Sequence, residues 1–417
     1  MKKLITSTFI RIGKTNILAN FLNLSVIQII NALSQIYIYY LINSILGLET
    51  FGKVIVASTF CGVAGSVINY GTNQSGIREV SSNIGKTTMS RVISNILWIR
   101  IILFIAYLLV LGGLSYFNSQ YFTLIIFSLP LILAEVLNPL YFYIGIEKLK
   151  YYNLFNMLSK LISIIAVLLL IKNEYDDYKV NFIIGSSGVL IYGLLLVSAF
   201  RVYKLKLLIP RFSILLYQFK DNFYLTVNNL SVQLQQSLMV FALGKWGEEI
   251  VLGAYSFCDK LLWGGRLLIM AISNAIYPKG VQLYNERPEL WFKFRFKFKI
   301  IITAFFILAS VIMYFFPDYI ILILTNTQEA HAINFIRAMA LVPTVAALNS
   351  LNVLDLLIKN KNAAVFRISM ISLIISIITV FIFIKEKNYI AIAYYALLIE
   401  SVNLLMYEMA IRKYRNA

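Results

Sequence analysis

Residues 251–277 place an acid, a base and three aromatic rings on one helical face. At helical spacing Tyr255, Asp259, Trp263, Arg266, Ser273 and Tyr277 fall within a band about 80° wide. An arginine fork beside aromatic rings suits a sugar diphosphate, because guanidinium N–H groups pair with phosphate oxygens and rings pack on pyranose faces. The same pattern also fits a structural role: ion pairs within or between helices, with the aromatics at bundle contacts. Lys260 adjoins the face.

Seven more ionisable residues, Arg100, Glu135, Lys160, Arg337, Asp355, Glu400 and Glu408, fall within or near apolar runs. Each costs about 2.5–3.5 kcal/mol at a bilayer centre, so the deep ones must face protein or a water-filled cavity. Lys160, Asp355 and Glu408 are placed near the interface, with their polar ends reaching water. Arg100 and Glu135 lie at similar depth on adjacent antiparallel runs, which fits either a salt bridge or a shared cavity role. Arg337, Thr344 and Asp355 align around Pro343, a residue type that kinks helices. Glu400, midway along the last run, either hydrogen-bonds a neighbouring helix or carries a coupling proton.

Transmembrane helices must position these groups. With 60% hydrophobic and 13% charged residues, the 417-residue chain has too little polar material to cover a water-soluble fold. Apolar runs at 17–42, 52–71, 92–114, 122–144, 154–172, 180–200, 223–243, 251–277, 300–323, 331–357, 366–384 and 389–409 read as twelve spans. Met1 to Asn16 is short, basic and polar, and predicts no cleaved signal peptide. The formal charge of +18 is not a nucleic-acid patch, because it follows alternate connections between spans. One set of connections and termini, with Lys2, Lys3, Arg11, Lys14, Arg78, Lys148, Lys204, Lys293, Lys359 and Arg415 among its members, holds 26 Lys and Arg; the other holds 6, Lys387 included. That bias predicts cytoplasmic termini.

Cys61 and Cys258 lie inside spans and His331 is the sole histidine, so the sequence offers no disulfide framework or His/Cys metal cluster. Gly47 to Val54 mimics a nucleotide loop but ends in Val, and a P-loop also needs a preceding strand and a soluble α/β domain. No cofactor, nucleic acid or nucleotide hydrolysis is expected.

The basic segment Arg201 to Asn222, containing Pro210, reads as a cytoplasmic connector, 201–222, between six-span halves at 1–200 and 223–417. Leu137-Asn138-Pro139-Leu140 before Lys148 and Lys150 recurs as Leu348-Asn349-Ser350-Leu351 before Lys359 and Lys361. Each half opens on a polar span: Asn20, Asn23, Ser25, Gln28, Asn31, Ser34 and Gln35 correspond to Asn228, Asn229, Ser231, Gln233, Gln235, Gln236 and Ser237. Halves of equal orientation are related by an axis along the membrane normal, and transport sites lie at their interface. Trp291 to Lys299 alternates aromatic and basic residues like a strand, but without a partner strand it reads as the start of span nine. It is expected to anchor that span at the headgroups and, secondarily, to collect lipid diphosphates.

Leu46-Gly47 with Phe51-Gly52, Asn69-Tyr70-Gly71 with Gly76-Ile77-Arg78-Glu79-Val80, Asn138 to Phe142 with Gly145 to Lys148, and Ala254 to Pro278 are loose patterns that gain force together. Over nearly its whole length the chain resembles bacterial Wzx-type exporters, the lipid-linked O-antigen flippases of the multidrug/oligosaccharidyl-lipid/polysaccharide exporter superfamily. The resemblance implies an all-α polytopic membrane protein, MATE-like, with twelve transmembrane helices in two six-helix lobes around a cation-lined cavity. It also implies a bacterial inner-membrane location and outward transfer of an undecaprenyl-diphosphate-linked oligosaccharide by alternating access, without catalysis. The expected partners are the polyprenyl-diphosphate-linked glycan, membrane lipids, a proton or sodium as coupling ion, and the polysaccharide polymerase and chain-length machinery.

Arg78, Arg100, Asp259, Lys260, Trp263, Arg266 and Arg337 are the expected substrate-binding residues, and Glu135, Asp259 and Glu400 the expected ion-coupling residues. A small-molecule antiporter of the same fold is one alternative, since cavity acids can bind cationic drugs. A membrane-bound O-antigen polymerase, ligase or glycosyltransferase is the other, disfavoured because connectors of about twenty residues leave no room for a catalytic domain.

Overall fold

The computed structural model describes residues 17–82, 85–114, 121–386 and 388–414. Lys2, Lys3, Arg11, Lys14, Lys387 and Arg415 lie outside the described residues, as do the side chains of Asn20, Asn23, Ser25 and Gln28. The described residues form helices and no strand. In the first half these are α1 (Ile17–Leu46), α2 (Leu48–Asn69), α3 (Thr72–Ser82), α4 (Lys86–Leu114), α5 (Phe122–Phe127), α6 (Leu129–Leu137), α7 (Leu140–Gly145), α8 (Leu149–Leu170) and α9 (Asp177–Val202). The second half holds α10 (Phe212–Trp246), α11 (Glu249–Glu286), α12 (Pro288–Phe315), α13 (Pro317–Thr325), α14 (Ala330–Met339), α15 (Val342–Ile358), α16 (Asn362–Lys385) and α17 (Tyr389–Lys413).

Nine segments among the described residues are long and apolar enough to cross a membrane. The 35-residue α10 and 38-residue α11 exceed spanning length but fall outside that set, and in α1 the stretch Leu33–Leu46 is apolar. Both α10 and α11 carry polar side chains of the internal cavity described below, which accounts for their polarity. Of the expected connector 201–222, the residues from Phe212 onward are already helical.

Three of the expected spans are broken at prolines, the 300–323 run at Phe316, just ahead of Pro317. The 122–144 run divides at Ser128 and again at Asn138–Pro139, and the 331–357 run divides at Ala340–Leu341, just ahead of Pro343. Proline lacks an N–H, so Pro139 leaves the Glu135 carbonyl without its usual helical partner and Pro343 does the same to Met339. The strand-like alternation of Trp291 to Lys299 resolves as the first turns of α12. A spacing of four turns Trp291, Arg295 and Lys299 toward α15 and α17: Trp291 Nε1 donates to Asp355 Oδ1 (2.7 Å), Arg295 Nη2 to Asn352 Oδ1 (2.7 Å), and Lys299 Nζ to Glu408 Oε1 (3.0 Å). Asp355 is therefore fully buried and held by Trp291, Arg295 and Lys359, so its carboxylate does not reach water as expected. Lys293 and Lys297 remain exposed.

One apolar core joins the halves, and it lies at the end of the bundle away from the basic connections. Ile38, Ile42, Phe51 and Val54 of the first half pack there with Met239, Leu243, Val251 and Phe335 of the second. Backbones touch where α2 and α11 begin: a Cβ on Gly253 would lie 2.1 Å from the Leu48 carbonyl oxygen, and one on Gly52 would lie 2.8 Å from the Gly253 nitrogen. A Lys53–Glu249 ion pair (2.7 Å) and a Tyr121 hydroxyl donating to the Gly244 carbonyl (2.8 Å) cross the same joint. At the basic end the cores separate, with Val80, Ile93, Tyr141 and Leu195 in one cluster and Ile276, Trp291, Leu351 and Ile358 in another. The halves still meet along one flank there, through Arg78–Asp221 (2.9 Å) and the edge-to-face rings of Tyr70 and Phe219.

Candidate functional site

Between the halves, bounded by the shared core, lies a cavity of about 940 Å³. Its wall contains twelve carboxamides, among them Gln35, Asn69, Asn181, Gln233, Gln235 and Asn349. Six charged side chains line it, Glu135, Asp259 and Glu400 against Lys160, Lys260 and Arg266, so acids and bases balance and the lining is not the cationic one expected. Amides, hydroxyls and rings in such a wall match a ligand rich in hydroxyl groups, which both donates and accepts.

Of the six residues expected on the α11 face, Ser273 and Tyr277 lie outside the cavity lining. Tyr255, Asp259, Trp263 and Arg266 all line the cavity, with Lys260 beside them. Arg266 Nη2 donates to Glu400 Oε1 (3.2 Å), while Asn349 Nδ2 donates to Glu400 Oε2 (2.7 Å). Arg266 Nε is buried without a hydrogen-bond partner among the described residues. Asp259 and Lys260 form a looser pair at 3.7 Å. Farther along, Ser273 Oγ lies 2.6 Å from Ser350 Oγ, and Tyr277 is exposed.

In the first half, Glu135 lines the cavity but does not pair with Arg100 through its carboxylate. Its two oxygens accept from Asn69 Nδ2 (2.6 Å) and Asn138 Nδ2 (3.2 Å). Arg100 is fully buried outside the cavity lining and repairs the helix break. Its Nη1 donates to the carbonyls of Glu135 (3.0 Å) and Asn138 (2.8 Å), the first of which Pro139 cannot serve. Nε and Nη2 reach Thr72 Oγ1 and Asn73 Oδ1, each at 3.0 Å, and the guanidinium lies 5.2 Å from the Tyr141 ring centre.

Arg78 and Arg337 also lie outside the cavity lining. Arg78 forms the exposed pair with Asp221, and Arg337 pairs with Asp318 at 3.6 Å, both about half exposed. Lys160, assigned to the interface from sequence, instead lines the cavity at the middle of the 22-residue α8, and its ammonium donates to Gln35 Oε1 of α1. A signal for it was present: ten residues separate it from Lys150, which begins the helix. No cluster of His, Cys, Asp and Glu able to hold a metal occurs among the described residues.

The fold has close counterparts among solved structures. An inward-facing multidrug resistance MATE-family transporter of the MOP superfamily superposes with a TM-score of 0.74 at 13% identity, over 93% of this chain and 96% of that one. The lipid II flippase MurJ in an inward closed conformation gives 0.73 at 12% identity, over 93% and 87%. A MOP-superfamily transporter from Pyrococcus furiosus, described as having a binding pocket of reverse polarity, gives 0.67 at 15% identity, over 94% and 95%. These likenesses establish a MATE-like all-helical fold. By sequence, the chain is 21% identical over 255 residues to a candidate O-antigen transporter of Shigella dysenteriae, covering 59% of this chain and only 64% of that protein. Residues 17–283, well over half of the chain, match the model of the polysaccharide biosynthesis protein family, to which this protein belongs.

Proposed function

We propose that this protein moves an undecaprenyl-diphosphate-linked oligosaccharide, an O-antigen repeat unit, from the cytoplasmic to the periplasmic leaflet of the bacterial inner membrane. The observation that carries the reading is the amide-rich cavity with acids and bases in balance, enclosed where the halves share a core and bordered by separate cores at the basic end. The positive-inside bias assigns the basic end and both termini to the cytoplasm. With α1, α10 and α11 counted beside the nine apolar segments, the chain has twelve spans in two lobes, 1–200 and 223–417, linked through 201–222. Headgroup sugars enter from the cytoplasmic side and meet carboxamides and Trp263, the diphosphate meets cavity cations, and the polyprenyl tail stays in lipid. Rocking of the lobes then separates the shared core and opens the other side. The chain binds and reorients its cargo and makes or breaks no bond. Coupling to a proton or sodium would act through Glu135, Asp259 or Glu400, and the polysaccharide polymerase receives the product.

Loss of the protein should abolish surface polysaccharide and accumulate the lipid-linked unit on the cytoplasmic leaflet; normal surface polysaccharide refutes the reading. A second reading, a small-molecule antiporter, draws on the three cavity carboxylates, which could bind cationic drugs. It requires drug efflux with no change in surface polysaccharide.

A further inference from the structure

Of the three cations lining the cavity, Lys160 alone has no carboxylate within ion-pair distance among the described residues. Lys260 has Asp259 and Arg266 has Glu400. Lys160 has one neutral acceptor, Gln35 Oε1. An ammonium in mid-membrane with a single amide oxygen is poorly compensated, and intramembrane charges of this kind mark substrate and ion pathways. Its depth also coincides with the second half's cations. Ile36, next in the chain to Gln35, packs against α11 at Gly264, where an added Cβ would lie 2.6 Å from Ile36 Cδ1. Gly264 sits between Trp263 and Arg266, so the α1 residue that holds Lys160 is level with the ring and the guanidinium.

We infer that Lys160 is the first half's anchor for the diphosphate of the cargo, with the Arg266 guanidinium facing it across the cavity from the second half. This inference rests on the flippase reading for the identity of the anion and deepens it by naming a binding residue. Asp259 and Glu400 already neutralise Lys260 and Arg266, so Lys160 supplies the uncommitted positive charge that an arriving anion needs. One anchor from each half also makes the anion a bridge between walls that move relative to each other in alternating access.

The test uses the full chain purified in detergent, with farnesyl diphosphate, farnesyl monophosphate and inorganic pyrophosphate as probes. Lys160→Gln should lower farnesyl diphosphate affinity at least tenfold, Lys160→Arg should stay within about threefold of the parent, and farnesyl monophosphate should bind more weakly to the parent. Removing a lone intramembrane charge should leave the melting temperature equal or higher, so lost binding cannot be unfolding. Should Lys160→Gln fail to purify, Gln35→Leu offers a second variant, expected to weaken farnesyl diphosphate binding because the ammonium loses its positioning oxygen. Farnesyl diphosphate affinity within twofold of the parent in folded Lys160→Gln overturns the inference and leaves the flippase reading standing. Pyrophosphate binding as tight as farnesyl diphosphate, and lost equally in Lys160→Gln, upholds the anchor while contradicting a lipid-linked cargo.

Discussion

Gly253 offers a direct test of whether the shared core is a gate. Gly253→Ala places a methyl group 2.1 Å from the Leu48 carbonyl oxygen, whereas ordinary van der Waals contact begins at 3.4 Å. The helices must therefore part by more than 1 Å where α2 and α11 begin. Overpacking of a tight contact costs about 1–3 kcal/mol, and that strain is present only while this end is closed. Opening relieves it, so the closed-to-open ratio should fall by roughly 5- to 150-fold. Cysteines at Thr50 and Ile250, which border a pocket at this end, would report the shift through a membrane-impermeant thiol reagent in intact cells. Gly253→Ala should raise their labelling rate several-fold with little change in melting temperature. Gly52→Ala, whose methyl would meet the Gly253 nitrogen at 2.8 Å, should do so less. Unchanged labelling in folded Gly253→Ala would mean that the joint does not open, which removes alternating access at this place.

Three further outcomes follow from particular contacts. Arg266→Ala, which leaves Glu400 to Asn349 alone, should cut polysaccharide export by about tenfold or more at matched expression, with only partial rescue by Lys; normal export removes Arg266 from the site. Arg100→Leu strands the Asn138 carbonyl at about 1–3 kcal/mol, leaves the Glu135 carbonyl only its 3.4 Å bond from the Asn138 N–H, and should lower the melting temperature, with Glu135→Gln giving no relief; a double variant more stable than the Arg100 single would instead indicate a carboxylate–guanidinium pair. A diphosphate carrying about two negative charges gains roughly 4–5 kcal/mol on leaving a cell interior held at −100 mV, so proteoliposomes should flip the matching lipid-linked glycan faster under that potential without ATP. A rate that ignores the potential and stops without ATP defeats this account.

The spans and the α11 face were legible because both express a period: long apolar runs reveal membrane helices, and a 3.6-residue repeat brought Asp259, Trp263 and Arg266 to one wall. Arg100 was misread because the sequence displays charges and conceals carbonyls. Its depth matched Glu135, yet its partner is the Glu135 backbone, freed by Pro139. A proline four residues after an acid was the available clue, since it creates a need for a donor at that acid's carbonyl. Lys160 and Asp355 were misread together for a different reason. Position along a helix gives depth, but only packing tells whether a side chain at that depth meets lipid, protein or a cavity. Exposure to the cavity needed the partner helices, α1 for Lys160, and no single-chain period supplies it.

The internal repeat gains a physical meaning from the same contacts. Asn138 and Asn349 occupy matching places in Leu137-Asn138-Pro139-Leu140 and Leu348-Asn349-Ser350-Leu351, and each donates its amide to an acid of the cavity wall, Glu135 or Glu400. A carboxylate in mid-membrane needs donors on both oxygens, so a fixed asparagine beside each acid keeps it oriented whether or not a cation is present. The halves then diverge in the second donor: Glu400 receives Arg266, whereas Glu135 receives Asn69. That difference leaves the first half with a lysine that no acid has claimed and the second with cations already matched, an asymmetry that would bring an anion to α8 as well as to α11.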